Sequence, residues 1–183
     1  MIDMKRLLTI FLLLMIVVSL VSCGSNDSLL PKDMDPEFYY TSGAGAWYTE
    51  LILNADGSFE GTYNDSEGDK VYVADFTGKF GDIKQIHDYT YSMTLTELNT
   101  ERPAGEEWTQ GEVHYIASAP NGLLIGAEYV LYTPDAPTAE LSDDFLSWHP
   151  RNINEETADK LGCYGICGDF DDSEIGFFNR PNA

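Results

Sequence analysis

The chain has 183 residues, with 31 acidic side chains against 10 basic ones and a net charge of −21. Such a surface repels phosphate backbones and anionic lipid headgroups, which argues against nucleic acid as a partner and against a body lying flat on an acidic membrane. With 11 Tyr, 9 Phe and 3 Trp, the chain is too aromatic for an acidic disordered protein and has the material for a core.

Lys5 and Arg6 form a positive flank, followed by an apolar run from Leu7 to Val21 that only Thr9 and Ser19 interrupt. The run is shorter than the roughly 20 apolar residues of a membrane span and has the layout of a cleaved signal peptide. It ends in Leu20-Val21-Ser22-Cys23-Gly24, which resembles the lipobox of bacterial lipoproteins. The resemblance implies that residues 1–22 are a signal peptide and that Cys23 becomes the new N-terminus. Cys23 would carry the lipid on its thiol, with acyl chains such as palmitate giving the multi-chain anchoring that one chain cannot. An uncleaved anchor helix with an incidental Cys23 is the alternative. Loss of Lys5, Arg6 and Asp3 with the leader moves the net charge to −22. The expected location is the cell membrane, lipid-anchored and facing outside the cytoplasm.

Residues 23–38 open with Gly24-Ser25-Asn26-Asp27-Ser28, contain Pro31 and Pro36, and read as a flexible tether. Residues 39–183 read as a single β-rich domain. In Trp47–Leu53 the alternation places Trp47, Leu51 and Leu53 on one face. Asn54-Ala55-Asp56-Gly57 is a turn signal, and Phe59 and Tyr63 alternate after it, which predicts a hairpin. Asp65 to Lys70 is a polar loop. Val71–Phe80 is a third strand and His87–Leu98 a fourth. In the fourth, Tyr89, Tyr91, Met93 and Leu95 oppose Thr90, Ser92, Thr94 and Thr96, the pattern of a sheet with one wet face. Asn99–Gly111 reads as a loop, Glu112–Ser118 as a fifth strand, and Leu123–Tyr132 as one or two more.

Two short helices are expected near 141–148 and 154–161. Leu141, Phe145 and Trp148 recur at helical spacing before Pro150. Asn154 is a capping residue, followed by Glu155 and Glu156 and closed by Gly162. Cys163–Cys167 and Ile175–Phe178 suggest a final hairpin across an acidic turn. The expected fold class is mainly β, a small antiparallel β-barrel or sandwich with those two C-terminal helices. Gly45-Ala46-Trp47 resembles the Gly-x-Trp of lipocalins, which implies a lipocalin-like barrel as one form of that class. The stretches Ser42–Trp47, Asp56–Phe59, Phe76–Phe80, Asp88–Met93 and Phe145–Trp148 together resemble uncharacterised lipoproteins of Gram-positive bacteria. That resemblance implies the anchor and no activity.

Few residues stand out for chemistry. Cys163 and Cys167 are either a disulfide, which needs a turn at Gly165, or two small hydrophobes on one strand face. Asp169, Asp171, Asp172 and Glu174 are candidate calcium ligands, as are Asp65, Glu67 and Asp69, but neither cluster has EF-hand spacing. His87, His114 and His149 are far apart, and no nucleophile motif accompanies them. No cofactor is expected. Tyr48 and Tyr72 lie opposite the apolar faces and are candidates to line a ligand groove. The favoured reading is a tethered, non-enzymatic β-domain that binds a neutral glycan or a cationic peptide. A glycan-directed hydrolase and a structural envelope protein are the alternatives. A filled barrel interior would favour the structural reading.

Overall fold

The computed structural model describes residues 29–170 and 173–179; the leader, Cys23, Asp171 and Asp172 lie outside the described residues. Its strands are β1(Glu37–Thr41), β2(Trp47–Leu53), β3(Ser58–Glu67), β4(Lys70–His87), β5(Thr90–Thr100), β6(Glu107–Gln110), β7(Val113–Ala117), β8(Glu128–Tyr132), β9(Gly165–Phe170) and β10(Ser173–Phe178). A 3-10 turn, Thr138–Glu140, precedes the short helix α1(Asp143–Ser147). The sheet order is β3-β2-β1-β10-β9-β8-β5-β4-β7-β6, and an extra β3–β4 ladder joins it into a ring. The molecule is thus mainly β, with a closed antiparallel barrel of β1, β2, β3, β4, β5, β8, β9 and β10 in chain order. The hairpin β6–β7 is inserted between β5 and β8 and attaches outside the ring, where β7 runs parallel to β4 from Lys70↔His114 to Val73↔Ala117.

Alternation decides which side chains enter the barrel. Phe38 and Tyr40 on β1, Leu51 and Leu53 on β2, and Phe59 on β3 are all buried. So are Phe76 and Phe80 on β4, Met93 and Leu95 on β5, Tyr129 and Leu131 on β8, and Ile175 and Phe177 on β10. Aromatic rings touch through the centre: Phe80 lies 5.1 Å from both Phe59 and Tyr129, and Tyr129 lies 5.6 Å from Phe170. The interior is therefore packed with side chains, as small barrels generally are. The hairpin β2–β3 forms as its turn signal requires, with Gly57 at φ 84° and its N–H donating to the Asn54 carbonyl.

A second hydrophobic layer lies outside the barrel. Phe145 and Leu146 of α1 pack with Leu161, Cys163, Cys167 and Phe178. Glycines make the close approach feasible: a Cβ at Gly165 would come within 2.9 Å of the Phe145 ring, and one at Gly176 would crowd Phe178 and the Trp148 Cβ. Ser142 caps α1, its hydroxyl accepting from the Phe145 N–H at 3.1 Å, as an N-cap residue should.

Several expectations need correction, among them the loop read over Asn99–Gly111, which holds β6(Glu107–Gln110). Residues 154–161 are not helical. Asn154 does cap a turn, its Oδ1 accepting from Glu156 and Thr157 N–H at 3.0 Å each. The following backbone then pairs with 134–138 instead: Thr138 N–H to Asp159 O, Leu161 N–H to Ala136 O and Gly162 N–H to Pro134 O. Tertiary pairing overrides the local cap signal. The tether is also shorter than 23–38, because Leu30, Met34 and Phe38 are core residues and Leu29 and Leu30 both donate to the Ala55 carbonyl. Finally, β4 does not stop at Phe80. It runs 18 residues to His87, with register shifts along its β5 ladder and Asp82 at φ 51°. Gly81 and Asp82 are turn-like residues that here form a bulge and bend one long strand.

Phe80 is fully buried at the barrel centre. Phe80→Ala should cost about 3–5 kcal/mol, lowering Tm by roughly 6–20 °C for a domain of this size. A thermal melt within 2 °C of the parent, about the noise of this conversion, would contradict a packed interior.

Candidate functional site

Barrel closure is uneven. The ladders around the ring hold four or more registered pairs each, but among the described residues β1 and β10 share a single one, Tyr39↔Phe178. Beyond it the residue after α1 fills the space: Trp148 sits edge-on to Tyr40 at 4.9 Å and donates its indole N–H to the Glu174 carbonyl at 3.0 Å. Trp47 of the Gly-x-Trp segment joins the same cluster, 4.8 Å from Tyr40.

Along the outer side of this seam runs a groove of about 780 Å³. One wall is the outer face of β1 and β2, where Thr41 pairs with Tyr48 and Tyr39 with Glu50. The other is the Ser147–Asn152 segment, and Phe178 and Asn179 line it at the seam. Asn179 is 3% exposed. Its Nδ2 donates to the carbonyls of Asp35, at 3.0 Å, and Glu37. Its Oδ1 has no hydrogen-bond partner among the described residues, and neither does Ser42 Oγ. Buried acceptors are normally satisfied, so two orphans in one groove mark it out.

His149 lines the same groove, and its ring is fully committed. Nδ1 accepts from the Arg151 N–H at 3.1 Å, so Nε2 carries the proton. Nε2 lies 3.2 Å from the Leu161 carbonyl and 3.3 Å from Cys163 Sγ. Sequence spacing gave no reason to bring His149 and Cys163 together; the turn after α1 and the Gly162 bend do so. The pair is not a catalytic dyad. The base lone pair is on Nδ1, facing a backbone donor, and burial pushes the Cys163 thiol up to about 12. A thiol so high is a poor nucleophile at neutral pH.

The candidate residues of the sequence separate. Tyr48 lines the groove and is 37% exposed. Tyr72 does not. It pairs with Asp65, while Tyr48 pairs with the neighbouring Asn64, so the two tyrosines fall on opposite faces of the sheet. Cys163 and Cys167 are free thiols in the second hydrophobic layer, and burial raises Cys167 to about 12 as well. Asp169 and Glu174 stand directly opposite on β9 and β10, and Glu174 accepts from the Ser142 hydroxyl. Among the described residues no group of three or more His, Cys, Asp or Glu is placed to hold a metal ion; Asp171 and Asp172 fall outside them. A second, shallower depression on the outer face holds Glu50, Glu60, Asp75 and Glu101. Asn179 and Trp148 carried no functional signal in the sequence, since their role comes from where the barrel closes.

The fold and site together define a closed, filled, eight-stranded antiparallel barrel with a groove outside, on the closure seam. No protein-family model, curated protein or solved structure matches the chain.

His149 is buried and neutral, and desolvation holds its pKa below the ordinary value. The unfolded imidazole takes up a proton near pH 6.5, whereas the folded one does so only at lower pH. The unfolded state therefore binds more protons in that window, and stability falls as pH drops below about 6.5. The Tm measured from about pH 7.5 to 5.5 should decline in the parent and decline less in His149→Gln, around the same ordinary pKa. Equal slopes in the two proteins would contradict the assignment.

Proposed function

We propose that this chain is a lipid-anchored extracytoplasmic β-barrel that binds a ligand in the groove on its closure seam. The anchor rests on the lipobox-like Leu20-Val21-Ser22-Cys23, with Cys23 as the lipidated residue. The binding role rests on one observation: a large groove lined by a buried side chain, Asn179, whose acceptor oxygen lacks a partner among the described residues. A purely structural barrel has no use for such an atom, because leaving it unpaired costs about 1–3 kcal/mol. The filled interior directs the ligand to the outside rather than into a lipocalin-type cavity.

Turnover is the weaker reading. Glycoside hydrolysis uses two facing carboxyl groups, and among the described residues Glu50 is the single carboxylate lining this groove. The imidazole at its wall, His149, has no nitrogen left to act as a base. With a net charge of −21 the ligand is a neutral glycan or a cationic peptide, and anionic polymers are opposed. The anchor geometry is tight. Leu29 already bonds to Ala55, so the six residues after Cys23 reach at most roughly 20 Å, and the barrel stays close to the bilayer.

Two measurements test this. Cys23→Ser should release the protein from membranes or leave the precursor unprocessed; a Ser variant processed and membrane-bound like the parent refutes the anchor. The full chain in neutral detergent, screened against glycans, peptides and lipids, should bind a neutral or cationic ligand, and Trp148→Ala should weaken that binding at least roughly tenfold, as loss of a buried aromatic anchor does. Binding that survives loss of Trp148 intact removes the groove from the account.

A further inference from the structure

We infer that the seam groove is a receptor for a primary ammonium or guanidinium group, so that its ligand is the basic side chain of a peptide rather than a neutral sugar. This rests on the reading of the groove as a binding site and adds the chemistry of the group it takes. The lining holds a carboxylate, Glu50, and an unpartnered amide oxygen on Asn179, beside the hydroxyls of Thr41, Ser42 and Ser147. Both Nδ2 hydrogens of Asn179 are engaged by the carbonyls of Asp35 and Glu37. That fixes the amide orientation, and Oδ1 is the atom turned away from those carbonyls, without a partner among the described residues. Asn179 is 3% exposed and Oδ1 is itself closed to solvent, so a ligand donor reaches it only if the side chain shifts on binding, while half-buried Glu50 is the acceptor open to the groove.

Carboxylate capacity is also left over. The Tyr39 hydroxyl lies 3.1 Å from Glu37 and 3.2 Å from Glu50. Its one proton serves one carboxylate at a time, and Glu50 lines the groove. Among the described residues no Lys or Arg lines the groove, and Arg151, between Pro150 and Asn152, is exposed and does not line it. The rings of Tyr48, Trp148 and Phe178 also line it.

A cationic nitrogen group meets all of these terms together. It brings several donors, a charge for Glu50, and attraction to aromatic rings. A sugar hydroxyl brings one donor and no charge. Size points to a peptide rather than a small free amine. About 780 Å³ lies in the range of pockets that hold drug-sized ligands, so a basic side chain enters with backbone on either side of it. The net charge of −21 speeds the approach of such a partner.

The test uses the full chain in neutral detergent, with tryptophan fluorescence and calorimetry as readouts. The probes are an end-blocked Ala-Lys-Ala peptide, the same peptide with acetylated lysine, and a neutral disaccharide. The lysine peptide should bind at least roughly tenfold tighter than the acetylated one, the scale of a lost charge-assisted hydrogen bond. Glu50→Gln should erase most of that difference, and Tyr48→Ala, at an exposed position, should weaken lysine-peptide binding several-fold. Glu156→Gln removes the same charge away from the groove and should change nothing. Thermal melts establish that each variant is folded. Equal binding of the lysine and acetyl-lysine peptides overturns the inference. So does an equal loss in Glu50→Gln and Glu156→Gln, which would reduce the effect to the overall field. Disaccharide binding that is lost in Tyr48→Ala, without lysine-peptide binding, overturns the amine while keeping the groove. Failure of every probe to bind overturns both.

Discussion

The joint between β1 and β10, registered among the described residues by the one pair Tyr39↔Phe178, is the one on which the molecule turns. Closing a sheet into a barrel removes its edges and encloses a core, and here the last joint is made by side chains more than by backbone. Trp148 wedges against Tyr40 and ties itself to β10 through the Glu174 carbonyl. Asn179 ties the end of β10 back to the carbonyls of Asp35 and Glu37 at the start of β1. A full ladder would satisfy its own polar groups and leave a smooth wall. This closure leaves a concavity and, among the described residues, an oxygen of Asn179 without a partner.

Much of the fold was legible because half-buried strands impose a period of two. Trp47, Leu51 and Leu53 face inward together, and Phe59 follows on the partner strand of the hairpin, as Asn54 to Gly57 dictate. Legibility failed where local and tertiary signals conflict. Gly81 and Asp82 look like a turn, but β5 pairs on both sides of them and holds β4 extended through a bulge. Asn154, Glu155 and Glu156 look like a helix start, yet the backbone amides that follow are captured by residues 134–138. Leu30 and Met34 sit among polar and proline residues, and only their contacts with distant strands reveal them as core.

The site was less legible for a different reason. Tyr48 could be picked out because an aromatic residue opposite an apolar face invites a role. Its companions could not. Asn179 is distinguished by a closure more than 140 residues apart in sequence, and no local pattern encodes that. His149 and Cys163 meet because two loops fold over the outside of β9 and β10. Register also separates what sequence had joined: a one-residue offset between Tyr48↔Asn64 and Tyr72↔Asp65 places the two tyrosines on opposite sides.

A filled barrel moves function outward. Phe59, Phe80 and Tyr129 leave no room for a ligand in the interior, so concavity has to come from a second layer laid on the first. Gly165 and Gly176 let α1 and Phe178 settle against the wall, where any Cβ would hold them off. The layer in turn sets Ser147 to Asn152 at a fixed distance from β1 and β2, with His149 locked between Arg151 N–H and the Leu161 carbonyl. The neutral imidazole thus acts as a strut. It spans the turn after α1 and the chain entering β9, and so holds one wall of the groove to the barrel that supplies the other.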